Sequence, residues 1–406
     1  MLQTLDTIHV FIHTVYGSTN LHILFAILIV FYTPFALYQM FLVISSIIHS
    51  DKKYFEKQSP IKKDNNVIIA ITTNGMATDV VEKIISTIRG YGLHLTDGED
   101  IYVIKEEKDV FKYSCSEITV PLDYQSPNRS RCKMRAMQYG IEKFHEMGYG
   151  KETYICHLDD DSLVDKEYLE YIIHYMTGAG GQGCIRLREF GRHLMSSLAD
   201  IVRVSNCEAW CKPKNKRNKP QFVHGEGIVV RADVEYEIGW DYGTYGAEDL
   251  IMGLEISRRY VFSYIPSGHI YLAPPTTAKD YYKQRRRWFW SIFKNDGKVR
   301  KLNLKTYLFY IYMYAVGVAG FVSLMIFPVM LFVDAYITPL MMMLCILNII
   351  SFFGYYQFGA VRCDHASCSV VLLILQIPIA FYDGFTIIYS LVTRPDFQTF
   401  ETIKKV

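Results

Sequence analysis

The sequence predicts an α/β domain with a mostly parallel sheet, inserted between an N-terminal transmembrane helix and a C-terminal set of transmembrane helices. Three observations carry this reading. Residues 22–48 contain no Asp, Glu, Lys or Arg and exceed the about 20 apolar residues that cross a bilayer. Comparable apolar density returns only after Lys305. Between these regions, β-branched runs alternate with stretches of helical spacing, which is the pattern of parallel strands joined by crossover helices.

The first segment, 1–21, carries no Lys or Arg and lacks the basic start of a cleaved secretory leader, so 22–48 reads as an uncleaved anchor. Lys52, Lys53, Lys57, Lys62 and Lys63 follow it and place that flank in the cytoplasm, with the N-terminus outward. Residues 51–300 then form a cytoplasmic domain large enough for its own core. In it, "NNVIIAITTNG" (65–75) is a buried strand, "DVVEKIISTIRGYG" (79–92) a helix, "DIYVIKEE" (100–107) a strand and 128–148 another helix. "TYICHL" (153–158) is a third strand. It delivers Asp159, Asp160 and Asp161 to its carboxyl end, where ligands of open α/β sheets bind.

"GAGGQG" (178–183) has the spacing of a dinucleotide fingerprint but follows a helix rather than a strand, so it reads as a flexible turn. Within 301–392, spans are expected near 307–333, 336–358 and 369–392, followed by a tail at 393–406. Three such spans would leave the tail outside, against the preference of Arg394, Lys404 and Lys405 for the inside. Asp383, within the last run, marks that run as a candidate re-entrant or interfacial helix.

Composition excludes several classes. A net charge of +2 gives no basis for a nucleic-acid partner, and no Gly-Lys-Ser/Thr phosphate loop occurs. The nine cysteines lie mostly in the cytoplasmic part, where disulfides are rare. Cys363, His365 and Cys368 offer three zinc ligands without a fourth nearby. The basic run "CKPKNKRNKP" (211–220) is a solvated loop or a contact for acidic head groups. Asn128-Arg129-Ser130 has the glycosylation pattern, which a cytoplasmic location leaves unmodified.

Two carboxylates separated by one residue at a strand end suit a hard cation such as Mg²⁺ together with substrate phosphates. On an extended segment Asp159 and Asp161 point one way and Asp160 the other. An aspartate-rich turn or helix cap explains the same spacing. Downstream, "YGAEDLIMGLEI" (245–256) sets Glu248 and Asp249 in the first turn of an apolar helix, and "YYKQRRRWFWSIF" (281–293) sets three arginines beside two tryptophans. Alone, the latter is an interfacial amphipathic helix.

In this order the segments resemble the membrane-bound members of glycosyltransferase family 2, which include cellulose, chitin and hyaluronan synthases. The signature Asp-x-Asp, Thr-Glu-Asp, Gln-x-x-Arg-Trp stands here as Asp159-Asp160-Asp161, Ala247-Glu248-Asp249 and Gln284-Arg285-Arg286-Arg287-Trp288. A closer likeness, through "VPLDYQ", "KMRAMQYGIE", "HLDDDSL", "HGEGIVV", "AEDLIMG" and "QRRRW", is to Egghead-type β-1,4-mannosyltransferases. Ala247 departs from the Thr of the synthases, and the Egghead-type group is similar to this chain there.

The resemblance implies a GT-A nucleotide-sugar-binding fold and an inverting hexosyl transfer, with Asp249 as the base beside Glu248 and Glu226 as its rival. It further implies Asp159 and Asp161 as ligands of Mg²⁺ or Mn²⁺. Gln284, Arg287 and the weaker candidates Lys133 and Arg135 would meet the donor diphosphate, and Thr72, Thr73 and Glu106 (or Glu107) its nucleoside. Trp288, His224, Gly225 and Glu226 would face the acceptor, although His224 reads equally as a satisfied buried histidine.

The donor would be GDP-mannose or a UDP-hexose, the acceptor a lipid-linked sugar, and the setting a multi-pass membrane protein in contact with membrane lipids. A processive polysaccharide synthase using a UDP-sugar is the alternative, and a sugar-binding scaffold without turnover a third reading. Oligomeric state is left open by the sequence.

Overall fold

A computed structural model describes residues 18–48, 51, 54, 62–188, 193–332, 337–363 and 367–397. Segment 1–17, Lys52, Lys53, Lys57, His365, Lys404 and Lys405 lie outside the described residues. The domain is built on an eight-stranded sheet of order β3-β2-β1-β4-β7-β6-β8-β5. Its strands are β1 (Asn66–Thr73), β2 (Ile101–Glu106), β3 (Ser116–Val120), β4 (Thr153–Asp159), β5 (Leu163–Val164), β6 (Gly180–Leu187), β7 (Ile228–Arg231) and β8 (Phe262–Leu272). Pairs β1–β2, β1–β4, β2–β3 and β6–β8 are parallel, and β7 runs antiparallel between β4 and β6.

Residues 67–71 are fully buried because helices cover both faces of the sheet. On one side Val81, Ile84, Ile85 and Ile88 of helix Thr78–Gly90 pack on it, and on the other Met134, Met137, Ile141 and Phe144 of helix Cys132–Glu146. Such coverage turns parallel strands into continuous apolar runs. Register places Thr72 beside Asp159 across β1 and β4, so the aspartates emerge at the middle of the sheet.

Two local expectations fail. The segment 178–183 is not a flexible turn: Gly180 to Gly183 belong to β6. Its glycines are there because the chain is crowded, since a Cβ on Gly183 would lie 2.5 Å from the Tyr168 ring and one on Gly181 2.8 Å from the Ser263 carbonyl. The alternation expected for Asp159 to Asp161 also fails, because β4 ends at Asp159. There Ser162 N–H donates to the Asp159 carbonyl at 3.1 Å and Asp159 N–H to Ser162 Oγ at 2.8 Å, closing a turn.

Among the described residues, four helices are long and apolar enough to cross a membrane: Asn20–Ile48, Leu304–Leu331, Pro339–Ala360 and Ser367–Val392. The basic run after Cys211 is not simply a solvated loop, because Lys212 and Lys216 reach Asp51, beyond the first of these helices, at 2.5 and 2.8 Å.

The first three run away from the domain. Phe25 and Ile29 pack with Met330, Met341 and Cys345 at one end, while Leu42 and Tyr355 meet Trp210 of the domain at the other. The fourth behaves differently. Cys368 and Leu372 near its start cluster with Leu187 and Leu198. Asp383 at its middle accepts the Tyr281 hydroxyl at 2.5 Å, and Ser390 and Thr393 at its end accept Trp290 Nε1–H at 3.0 and 3.2 Å. Val370, Leu373, Ile374, Ile377 and Leu391 form its exposed apolar face.

Candidate active site

The carboxyl end of β4, the loop before β7, the start of helix Glu248–Arg259 and helix Ala278–Phe293 converge on one cavity of about 470 Å³. Lys133 and Asp159 line it, and the Lys133 ammonium sits 2.6 Å from Asp159 Oδ1. Burial alone would lower that ammonium; the charges of Asp159, Asp249 and Glu248 outweigh it and raise its pKa. Lys133 is thus the chain's own counter-charge to the acidic cluster.

Glu248 and Asp249 open their helix after Ala247, whose backbone is left-handed (φ 63°). A β-branched residue is strongly disfavoured in that conformation, which gives a local reason for Ala where the synthases carry Thr. Asp249 Oδ1 is buried without a hydrogen-bond partner. Burial first and then Glu248 push the Asp249 carboxyl well above the ordinary range, with Lys133 pulling it back. Gly225 faces this pair so closely that a Cβ would lie 2.6 Å from both Asp249 Oδ1 and Lys133 Nζ.

Glu226 is engaged differently, accepting from Arg203 Nη2 at 2.9 Å. Beside it His224 is held by the Glu226 carbonyl at 3.2 Å and the Gln182 amide at 2.7 Å on Nδ1, with Cys207 Sγ 3.4 Å from Nε2. Burial pushes the imidazole down to about 4, against the upward pull of Glu226.

Helix Ala278–Phe293 begins with a Thr277 cap, whose side chain accepts from Asp280 N–H. Gln284, Arg287 and Trp288 of this helix line the cavity, and Gln284 Oε1 is buried without a hydrogen-bond partner. The Trp288 ring has two guanidinium groups near it, Arg203 at 5.0 Å and Arg285 at 4.5 Å from its centroid. Asp200 holds both arginines, Arg285 at 2.8 Å and Arg203 at 3.7 Å. Nothing in the chain signals Arg203 or Asp200, which sit in an ordinary amphipathic helix far in sequence from Arg285, Glu226 and Trp288.

Thr72, Thr73, Glu106 and Asp161 do not line this cavity. Thr72 Oγ1 is buried without a hydrogen-bond partner, whereas Thr73 Oγ1 donates to Asp160 at 3.4 Å and accepts from Gly75 N–H at 3.1 Å. Glu106 accepts from Arg135, which also donates to the Pro121 carbonyl, so Arg135 clamps the end of β2 to its neighbouring loop instead of reaching the cavity. Glu107 instead receives Leu122 N–H at 2.8 Å. Asp161 is 4% exposed in the turn after β4. Asp159 and Asp161 carry oxygen donors of the hard type that Mg²⁺ or Mn²⁺ prefers, so the donor type fits such a cation, but of the two only Asp159 lines the cavity.

The cavity continues beyond the domain. Tyr32 and Phe35 of the first membrane-length helix, Tyr314 and Gly317 of the second and Phe352 of the third also line it.

Comparison with known proteins agrees with the motifs. The chain is 25% identical over 320 residues to beta-1,4-mannosyltransferase egh of Drosophila melanogaster, covering 73% of this chain and 69% of that protein. It is 25% identical over 256 residues to beta-1,4-mannosyltransferase bre-3 of Caenorhabditis elegans, covering 61% of this chain and 55% of that one. Among solved structures, mannosyltransferase PcManGT from Pyrobaculum calidifontis, in complex with GDP-Man and Mn²⁺, superposes with a TM-score of 0.49 at 13% identity, over 91% of this chain and 98% of that one. Residues 154–357 match the model of the glycosyl transferase family group 2, and the chain, a glycosyltransferase, belongs to that family.

Proposed function

We propose that this chain transfers mannose from GDP-mannose, with inversion and in a metal-dependent reaction, to a lipid-linked sugar presented at the cytoplasmic face of a membrane. The observation that carries this reading is the continuity of the cavity: one space touches Asp159 and Asp249 in the domain and Tyr32, Gly317 and Phe352 in membrane-length helices. A soluble acceptor needs no such path, whereas a head group on a lipid anchor reaches the base from the bilayer side along it. The named activity of the egh and bre-3 relatives supports mannose as the sugar.

In this mechanism Asp249 takes the proton from the acceptor hydroxyl as its oxygen attacks the anomeric carbon, and the bond from that carbon to the diphosphate breaks. Asp249 suits the role better than Glu226, because Arg203 already holds the Glu226 carboxylate and an ion-paired carboxylate is a weaker base. Charge developing on the leaving diphosphate meets Lys133 and Arg287 from the chain. Asp159 and Asp161 would hold Mg²⁺ or Mn²⁺, which when bound supplies further charge neutralisation for the diphosphate. Gln284 orients the same group, Thr72, Thr73 and Glu106 face the nucleoside, and Trp288, with Arg203 and Arg285 against its ring, walls the acceptor with His224 and Gly225.

For topology, we read three helices as crossing and Ser367–Val392 as lying along the interface. Its start, middle and end each contact the domain, its Gly384–Ile387 stretch also packs on Gly317 and Phe321 of the second membrane-length helix, and its apolar face is left for lipid. The C-terminus then returns to the side of the catalytic domain, as Arg394 prefers.

The test is incubation of detergent-purified protein with Mn²⁺, a membrane lipid extract and, separately, radiolabelled GDP-mannose, UDP-glucose and UDP-N-acetylglucosamine. One sugar added to an extractable lipid from GDP-mannose is the expected result. A long lipid-free polymer from a UDP-sugar would establish the synthase reading instead.

A further inference from the structure

Two cysteines with no part in the transfer chemistry lie against His224 of the proposed acceptor loop. Cys207 Sγ, Cys211 Sγ and a ring nitrogen of His224 all lie within 4.8 Å of one another. The two cysteines are buried, free thiols. They stand at the two ends of a π-helical stretch, Cys207–Cys211, that interrupts a longer helical run between Leu194–Asn206 and Lys212–Asn215. Single π-turns of this kind gather at functional sites because they re-aim side chains that an α-helix would spread.

We propose that Cys207, Cys211 and His224 form a three-ligand site for a soft or borderline cation of the zinc class, with its fourth position open to the cavity.

Four features of the geometry support it. Tetrahedral zinc, with bonds of about 2.3 Å to sulfur and about 2.0 Å to nitrogen, sets S···N at about 3.5 Å; Cys207 Sγ and His224 Nε2 are 3.4 Å apart. The far edge of the ring faces the Glu226 carbonyl, 3.2 Å from Nδ1. Nδ1 also meets the Gln182 amide nitrogen at 2.7 Å; metal on Nε2 requires Nδ1 to donate to the Glu226 carbonyl with the Gln182 amide turned to present its oxygen, the outer-shell arrangement that fixes metal-binding imidazoles. All three side chains line the cavity, which gives a cation an entry path and leaves a position for water or an acceptor hydroxyl. Charge also balances: binding one dication releases two thiol protons, so two thiolates, one neutral imidazole and the cation carry no net charge in a buried place.

The site is chemically distinct from the aspartate site. Thiolate and imidazole select zinc, whereas carboxylates select Mg²⁺ or Mn²⁺. Its consequence is positional. A cation there ties the π-turn to His224, and Gly225, the next residue, is the one packed against Asp249 and Lys133. Occupancy therefore sets where the loop holds those two groups.

The experiment uses the full-length protein, purified in detergent under reducing conditions, stripped with a chelator and titrated with Zn²⁺ and separately with Co²⁺. Wild type is expected to retain one zinc per chain by mass spectrometry of metals after dialysis into zinc-free Mn²⁺ buffer. It should also develop the d–d absorption of four-coordinate cobalt with a thiolate-to-cobalt band. Cys211→Ser should weaken Zn²⁺ binding at least tenfold and lose intensity in the thiolate band, with an unchanged thermal unfolding midpoint in the metal-free state. Because the cobalt spectrum of wild type is read without any variant, a poorly folding Cys211→Ser does not rescue the idea. Wild type with neither zinc retention nor a thiolate band overturns it. So does a Cys207–Cys211 disulfide in the reduced preparation. Neither readout depends on sugar transfer.

Discussion

Gly225 lies so close to Asp249 that a Cβ placed on it would stand 2.6 Å from the carboxylate Oδ1. The glycine at this place is therefore a spatial requirement set by a residue 24 positions away. Gly225→Ala has to push aside the Asp249 carboxylate, the Lys133 ammonium at the same distance, or both. Since a displacement of about 1 Å at a reacting group can cost about 10²-fold, kcat should fall by about that factor. The flexible ends of the two side chains can yield, so the unfolding midpoint should stay within a few degrees. A variant with wild-type kcat would place the reacting groups elsewhere.

Asp249 and Glu226 are separated by their partners, and kinetics can read the difference. Asp249→Asn should lower transfer by about 10²–10⁴-fold, the usual worth of a general base, while nucleotide-sugar binding measured by calorimetry stays within a factor of about three. Glu226→Gln should chiefly raise the acceptor KM, because it frees Arg203 beside Trp288. The reverse pattern would make Glu226 the base.

Much of this was readable in the chain because the signals are local. Residues 67–71 are apolar throughout because helices cover both faces of β1, and the first and third spans show by length alone. Interactions across the chain left no such trace. Nothing near Arg203 announces Trp288, and nothing near Tyr281 announces Asp383. Glycines 180–183 misled for a related reason: their crowding against Tyr168 and Ser263 is a tertiary fact, while their composition is that of a turn. The aspartates read correctly as a strand end, but Ser162 closes the turn too early for strand alternation to reach Asp161.

Ala247 carries strain that can be relieved. Its left-handed backbone, φ 63°, costs a non-glycine residue about 1–2 kcal/mol. Ala247→Gly should therefore raise stability by up to about 1 kcal/mol, and Ala247→Thr should lower it and reduce kcat by shifting the first helical turn. Chemical denaturation in detergent reads the first effect and initial rates the second. Equal stability of all three forms would mean that the turn is not left-handed.

The last membrane-length helix offers a topological test. Asp383 accepts hydroxyls from Tyr281 at 2.5 Å and Tyr356 at 2.9 Å, joining it to the helix of Trp288 and to the third membrane-length helix. Asp383→Leu should loosen helix Ala278–Phe293, lower the unfolding midpoint by several degrees and reduce transfer to membrane acceptor. If the helix lies along the interface, a C-terminal tag is cleaved by protease from the same side of sealed vesicles as a loop of the domain. Protection of the tag where the domain is accessible would make this helix a fourth span.

Lys133 is the positive charge that stands at the first of the three aspartates. Its ammonium contacts Asp159 at 2.6 Å, both side chains being less than a quarter exposed, and it also feels Asp249 and Glu248. Replacing it by Met leaves three carboxylates facing one another, at a cost of about 3 kcal/mol for breaking a largely buried pair. Two opposite consequences follow. The variant should unfold earlier than wild type without a divalent cation but gain more from Mn²⁺, because the cation then supplies the missing charge at Asp159 and Asp161. Donor binding should nonetheless be weaker by about tenfold at saturating Mn²⁺, because a positive group beside the diphosphate has gone. Thermal shifts with and without Mn²⁺, followed by titration with GDP-mannose, separate these effects. Asp161→Ala should abolish the Mn²⁺ shift in both backgrounds. An equal Mn²⁺ shift in wild type and Lys133→Met would mean that the cation and the lysine serve different carboxylates.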